Sequence, residues 1–119
     1  MEKVIFKGFI RQSDYCDNSF TTVIGNKNTP ISMIFYENFD GENVTARYFI
    51  SETEKSIEEL EENLILTSCG CLHADYSDRY SEITGYLWTD EEIMIGCHDL
   101  LSEINENIGK YIYLELTIH

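Results

Sequence analysis

Cysteine and histidine gather in one part of the chain. Cys69, Cys71 and His73 fall within five residues, and Cys97 and His98 follow further on. Thiolates and imidazoles are zinc ligands, and four of them close a tetrahedral site. The spacing opposes that reading. Zinc knuckles place about two to four residues between cysteines, whereas Gly70 alone separates Cys69 from Cys71. A Cys–His nucleophile needs both groups within hydrogen-bond reach and a third group to orient the base. Cys97 and His98 are consecutive, so on a strand they point to opposite faces. His98-Asp99 reads instead as a strand-to-helix turn, with Asp99 as the cap. No nucleophile elbow, Walker loop, dinucleotide fingerprint or H-E-x-x-H motif occurs. The expectation is a binding protein without a catalytic centre, metal or cofactor.

The run Asp75-Tyr76-Ser77-Asp78-Arg79-Tyr80-Ser81 carries a different chemistry. It holds one of three arginines, set between two tyrosines and beside Asp75 and Asp78. In one reading it is a surface strand with a local ion pair. In the other it recognises a nucleotide: aromatic faces stack on a base and the Arg79 fork engages a phosphate. Arg11, followed by Asp14, Tyr15 and Asn18, has the same composition at the end of the first predicted strand. The candidate ligand-binding residues are Arg11, Tyr15, Asn18, Asp75, Tyr76, Arg79, Tyr80, Trp88 and His98. Arg11 and Arg79 would neutralise phosphate, and Asp75 or Asn18 would bond a ribose.

Composition narrows the partners. Twenty-two acidic and eight basic residues give a formal net charge of −14 over 119 residues. Such a chain repels polyanions, so direct nucleic-acid binding, which rests on Lys and Arg at phosphates, is not expected. A hydrophobic content of 43% argues for a folded core despite that charge. The opening MEKVIFKGFI lacks the basic stretch and apolar core of a signal peptide. No apolar run approaches the roughly 20 residues that span a membrane. A cytoplasmic protein of one domain, with reduced thiols, is expected.

The elements that must position these residues follow from periodicity. Residues 3–10 read as a strand, with Val4, Phe6 and Ile10 on one face and Ile5 and Phe9 on the other. A long polar loop is expected over Ser13–Pro30, with one short strand at Phe20–Ile24. Residues 31–36 and 43–50 alternate as a hairpin turned at Asp40-Gly41. Ser51 and Glu54 have capping-box spacing, which predicts a helix from Ser51 that stops before Gly70, its apolar face formed by Ile57, Leu60 and Leu64. Residues 81–96 read as two strands with a turn near Thr89-Asp90. A second helix starts after Asp99, with the stripe Leu100, Leu101, Ile104 and Ile108, and ends at Gly109. In the last strand Ile112, Leu114, Leu116 and Ile118 face one way and Tyr111 and Tyr113 the other. No internal repeat, low-complexity tract or linker is legible. The fold class is α+β: a mostly antiparallel sheet with two helices packed on one face.

Several stretches carry a family resemblance. They are Phe6-Lys7-Gly8 through Tyr15-Cys16-Asp17, Asp75-Tyr76-Ser77 through Tyr86-Leu87-Trp88, Gly96 through Leu101, and Gly109 through Leu116. Together they cover about half the chain and resemble small anti-defence proteins of phages and prophages of Gram-positive bacteria, above all the first anti-Thoeris sponge family. The resemblance implies sequestration, without cleavage, of a cyclic ADP-ribose-type immune signal in the host bacterial cytoplasm, in pockets on homo-oligomers. The family's ligand positions do not map onto this sequence, so the candidate residues rest on their own chemistry. The alternative is an acidic inhibitor whose helix over 54–62 mimics nucleic acid and blocks a bacterial defence effector such as a CRISPR nuclease.

Overall fold

A computed structural model of the chain describes residues 2–16, 19–55, 58 and 65–119; side chains at 14–16, 19, 20, 86 and 87 lie outside that description. The elements run β1 (Glu2–Cys16), β2 (Ser19–Ile24), α1 (Ile31–Asn38), β3 (Asn43–Ser51), β4 (Leu66–Ser81), β5 (Tyr86–Ile95), β6 (His98–Asp99), α2 (Leu100–Asn105) and β7 (Tyr111–Ile118). The strands form a seven-stranded sheet in the order β2-β1-β7-β3-β4-β5-β6, and its ladders are antiparallel. The class is therefore α+β. No helix is long and apolar enough to cross a membrane among the described residues.

One core joins these elements. Phe6 and Ile10 of β1, Phe35 of α1, Leu72 of β4, Ile104 of α2 and Leu114 of β7 belong to a single buried cluster. Complete burial of such a side chain contributes about 1.5–3 kcal/mol. Period two places Phe6 and Ile10 inward and leaves Ile5 and Phe9 outward, 48% and 43% exposed.

The chain does contain an internal repeat. Its first half runs β1-β2-α1-β3 and its second β4-β5-(β6)-α2-β7. In the first ribbon Ile10 sits opposite Ile24, and in the second Leu72 sits opposite Ile95. The Gly25 N–H donates to Phe9 O (2.9 Å) as the Gly96 N–H donates to Cys71 O (3.0 Å). Ile10 exchanges 2.8 Å bonds with Gly109 and Lys110, and Leu72 does the same with Gly41 and Glu42. β3 and β7 pair about the pseudo-two-fold axis, Val44 opposite Ile118 and Ile50 opposite Ile112. The repeat escapes sequence inspection because each half conserves only small or apolar residue types at matched places.

Two glycine pairs set the bends. Gly8 (φ 145°) lies so close to Gly25 that a Cβ on it would stand 2.4 Å from the Gly25 Cα. Gly70 (φ 144°) meets Gly96 in the same way, with 3.0 Å between an added Cβ and the Gly96 Cα. Only glycine allows both the dihedral and the approach.

The sheet curls until its two sides touch. β2 and β5 are far apart in strand order, yet the Glu91 carboxylate of β5 accepts a backbone bond from Thr22 of β2 and the hydroxyl of Ser32 on α1, at 2.7 Å. The Thr22 hydroxyl donates to Asn105 at the end of α2. Burial pushes the Glu91 carboxyl above its ordinary range, against the pull of those two hydrogen bonds.

Several expected elements are corrected. Residues 31–38 form helix α1 rather than a hairpin arm. The run Ile31-Ser32-Met33-Ile34-Phe35 is apolar at nearly every position, so both periods fit it. Ile31, Phe35 and Phe39 recur every fourth residue, and all three are buried. Gly41 then turns from helix into strand. Ser51 closes β3 instead of capping a helix, its hydroxyl donating to Thr53 O at 2.6 Å. β4 already runs from Leu66, and the rest of that expected helix lies largely outside the described residues, Ile57, Leu60 and Leu64 among them. The short strand expected at Phe20–Ile24 is present as β2, and residues 13–16 belong to β1 and pair with it as a ribbon rather than a loop. The turn expected at Thr89-Asp90 falls at Ser81–Gly85, where the Gly85 N–H bonds Ser81 O (2.8 Å), and Thr89 and Asp90 lie within β5. α2 stops at Asn105, which leaves Ile108 outside it and 41% exposed. Asp99 does cap α2, accepting the Ser102 N–H at 3.0 Å.

Two measurements follow. Gly8→Ala should lower stability in urea unfolding by about 3 kcal/mol, from steric overlap plus dihedral strain. Gly41→Ala, with φ 86° but nothing within 4 Å, should cost only the strain, about 1–2 kcal/mol. For Glu91, a raised folded-state pKa means that the native state holds the proton more tightly than the unfolded chain. Its stabilising contribution is complete below the unfolded pKa and is lost as pH rises through the folded one. Glu91→Gln should therefore gain on the wild type between pH 4 and pH 7; an equal difference at both pH values contradicts this account.

Candidate functional site

The outward face of β1 presents Ile5, Lys7, Phe9 and Arg11. β7 lies beside it, with Tyr111 opposite Phe9 and Tyr113 opposite Lys7. The Phe9 and Tyr111 rings meet edge to face, 5.5 Å apart at 76°. Tyr113 stacks in turn on Phe49 of β3, at 5.5 Å and 5°. Glu115 on the same face is held by Lys3 (3.3 Å) and Arg47 (3.9 Å).

A cleft of about 360 Å³ opens where this face meets the turn after β2; Lys7, Phe9, Arg11, Asn26, Glu54 and Tyr111 line it. Gly8 and Gly25 also border it, and their lack of side chains leaves the backbone accessible. Arg11 is fixed in place: Nε donates to Gly25 O (2.8 Å) and Nη2 to Lys27 O (3.0 Å). Those two bonds occupy two of the five guanidinium N–H groups. Lys7 has no carboxylate within salt-bridge reach among the described residues. Burial, and then the nearby Glu54 carboxylate, raise the Tyr111 phenol above its ordinary range, so it stays a neutral donor. The cleft thus combines two cations, one carboxylate, an aromatic pair and an amide.

The remaining expected residues go elsewhere. Asp75, Tyr76, Arg79 and Tyr80 lie on β4 and Trp88 on β5, opposite Arg79. Their polar groups are largely engaged with one another. Arg79 Nε reaches Asp90 at 2.7 Å, and Asp78 accepts from Tyr76 (3.2 Å) and Thr89 (3.0 Å). Asp75 accepts from Ser77 at 3.3 Å. Tyr80 is 62% exposed. Because β1, β7, β3 and β4 alternate in direction, the β1–β2 turn and the β4–β5 turn point to opposite ends of the sheet. Arg11 and Arg79 therefore do not share a site within one chain. Tyr15 belongs to β1, with its side chain outside the description, and Asn18 lies outside the described residues.

His98 is drawn inward. Its Nε2 lies 2.9 Å from the Tyr48 hydroxyl and 2.7 Å from Glu103 Oε2. Tyr48, 2% exposed, donates to the same carboxylate at 2.8 Å. Burial first, and Glu103 second, push its phenol far above the ordinary range. Cys69, Cys71 and Cys97 are free and exposed thiols. His73 stands 3.5 Å from both Asp40 and Glu92. No group of three or more Cys, His, Asp or Glu is arranged to hold a metal among the described residues.

Of the expected residues Arg11 lines this cleft, and Lys7, Phe9 and Asn26 line it without having been singled out from the sequence. Tyr111 was legible only as an outward aromatic. The one signal available was the spacing Lys7-x-Phe9-x-Arg11, which puts three such side chains on one face of a strand. Comparison of the chain with protein families, characterised proteins and solved structures gives no match.

Tyr48→Phe should destabilise the protein by about 1–2 kcal/mol in urea unfolding, because a hydrogen bond to a charged acceptor is lost. The His98–Glu103 pair survives the change and limits the loss.

Proposed function

We propose that this chain binds and sequesters an anionic, nucleotide-like small molecule without cleaving it, as a phage anti-defence sponge for a cyclic ADP-ribose-type signal in the bacterial cytoplasm. The observation that carries the reading is the cleft in which Lys7 and Arg11 stand beside the Phe9–Tyr111 pair. A chain of net charge −14 has eight cations, and it commits two of them here. The volume of about 360 Å³ falls at the lower end of small-molecule sites, which span about 300–1,000 Å³. In this reading the aromatic edges hold the base. Lys7 and the remaining Arg11 N–H groups neutralise the pyrophosphate, and Asn26 bonds a ribose hydroxyl. Both helices are taken to pack on the inner face of the sheet, which leaves the outer face to the ligand. A second copy would close the open side of the cleft, in keeping with a homo-oligomer.

Isothermal titration with cyclic ADP-ribose isomers and linear ADP-ribose tests this. A cyclic isomer should bind, and heat denaturation should release it intact. Lys7→Ala should weaken binding at least tenfold with little change in melting temperature, since Lys7 is exposed. Arg79→Ala should alter affinity by less than about twofold. No binding by any isomer, or full affinity in Lys7→Ala, would sink the reading; a product other than the added ligand would turn it into an enzyme.

A further inference from the structure

The open edge of β1 marks a second surface. β2 pairs with β1 only from Ile10 to Cys16, whereas β7 pairs with its other side from Glu2 to Phe9. Phe9 O turns toward the β2 side, where it accepts the Gly25 N–H, and Ile10 turns toward β7. By alternation, the backbone groups of Lys3, Ile5 and Lys7 point to the side without a strand. No described residue bonds them there. Unpaired edge groups are a template for another strand.

The edge is bordered by a groove rather than by flat solvent. Two clefts, of about 170 and 490 Å³, follow β1 against α1 and share Phe6, Lys27 and Ile34. Ile24 and Ile31 deepen the first, and Val4 and Ile118 the second. Lys27 stands over the Phe6 ring, its Nζ 5.8 Å from the centroid. Apart from Lys27 the inner side of the groove beside Phe6 is thus apolar, and Lys7 and Lys3, the latter paired with Glu115, line the outer side of the edge.

We infer that this edge takes an extended segment of a partner protein by strand addition, and that the segment alternates apolar and acidic residues. The backbone of Lys3, Ile5 and Lys7 would supply the ladder. Alternate side chains of the guest would enter the groove beside Phe6 and Ile34, and the intervening ones would face Lys3 and Lys7. Charge complementarity selects the occupant. A second β1 laid antiparallel about Ile5 would oppose Lys3 to Lys7, which is unfavourable for directly facing like charges. Glu2 and Glu42 border the far end of the groove, so acidic side chains of the guest are kept out of it and stay on the outer, Lys7 side of the edge. The surface does not rest on the proposed nucleotide reading, although the two sites share Lys7.

Fluorescence anisotropy of three labelled hexapeptides tests it on the full chain: alternating Val-Glu, alternating Val-Lys, and Val-Glu with a central proline. The Val-Glu peptide should bind saturably and the other two at least tenfold more weakly. Its binding should shift amide resonances of residues 2–8 first. Ile5→Pro removes one unpaired edge N–H, a position where proline is tolerated, and should abolish peptide binding while leaving nucleotide titrations unchanged. Should that variant fail to fold, Lys7→Glu serves, and should erase the preference for Val-Glu over Val-Lys. Equal affinity for the two charged peptides, absence of binding, resonance shifts elsewhere, or dimerisation of the free chain by pairing of two β1 edges over residues 3–7 would each overturn the proposal.

Discussion

The architecture depends on two places where one backbone rests directly against another. At Gly8 on Gly25, and again at Gly70 on Gly96, a single Cβ would collide with main chain that has no rotamer with which to yield. Each contact bends a two-stranded ribbon and returns the chain toward the next helix. Because the same contact occurs twice, the two halves meet in matched register across β3 and β7. The curl, the closed core and the cleft beside Gly25 all follow from it. The cleft exists because glycine leaves the backbone bare there, and Arg11 uses that access to bond Gly25 O.

Polar groups add to the apolar core in holding the curl closed. Glu91 draws β5 toward β2 and α1, and Thr22 ties β2 to α2. Tyr48 spans from the core to His98 and Glu103. Among the described residues no buried side-chain nitrogen or oxygen lacks a partner, which matters because an unsatisfied buried polar group costs about 1–3 kcal/mol. These contacts give the curled sheet one way to shut, where apolar packing alone would accept several.

Charge is distributed unevenly on this frame. The β4–β5 ribbon consumes its own charges in the Arg79–Asp90 pair and the hydrogen bonds to Asp78. Around β1 the balance differs: Lys7 and Lys27 stand without ion pairs among the described residues, and Arg11 bonds carbonyls instead of carboxylates. A net charge of −14 therefore coexists with cations at Lys7, Arg11 and Lys27, set among Glu2, Glu42 and Glu54. Composition excludes partners by average charge, whereas binding is decided within about a Debye length, roughly 8 Å.

The sequence by itself determined the elements whose period was clean: β7, the inward face of β1, and α2 with its Asp99 cap. It determined the α+β class, the overall acidity and the cationic side chain of Arg11, because these depend on residue type and on neighbours in the chain. It did not separate helix from strand at Ile31–Phe35, where unbroken apolar residues satisfy both periods until the sheet offers one face to pack on. Tertiary structure alone decided that Asp75–Trp88 and Arg11 lie at opposite ends, since strand direction is a property of pairing. It also decided the two-fold repeat, the glycine crossings, and the meeting of Lys7, Phe9, Arg11 and Tyr111. Each of these joins residues far apart in the chain, and no local spacing encodes such a distance.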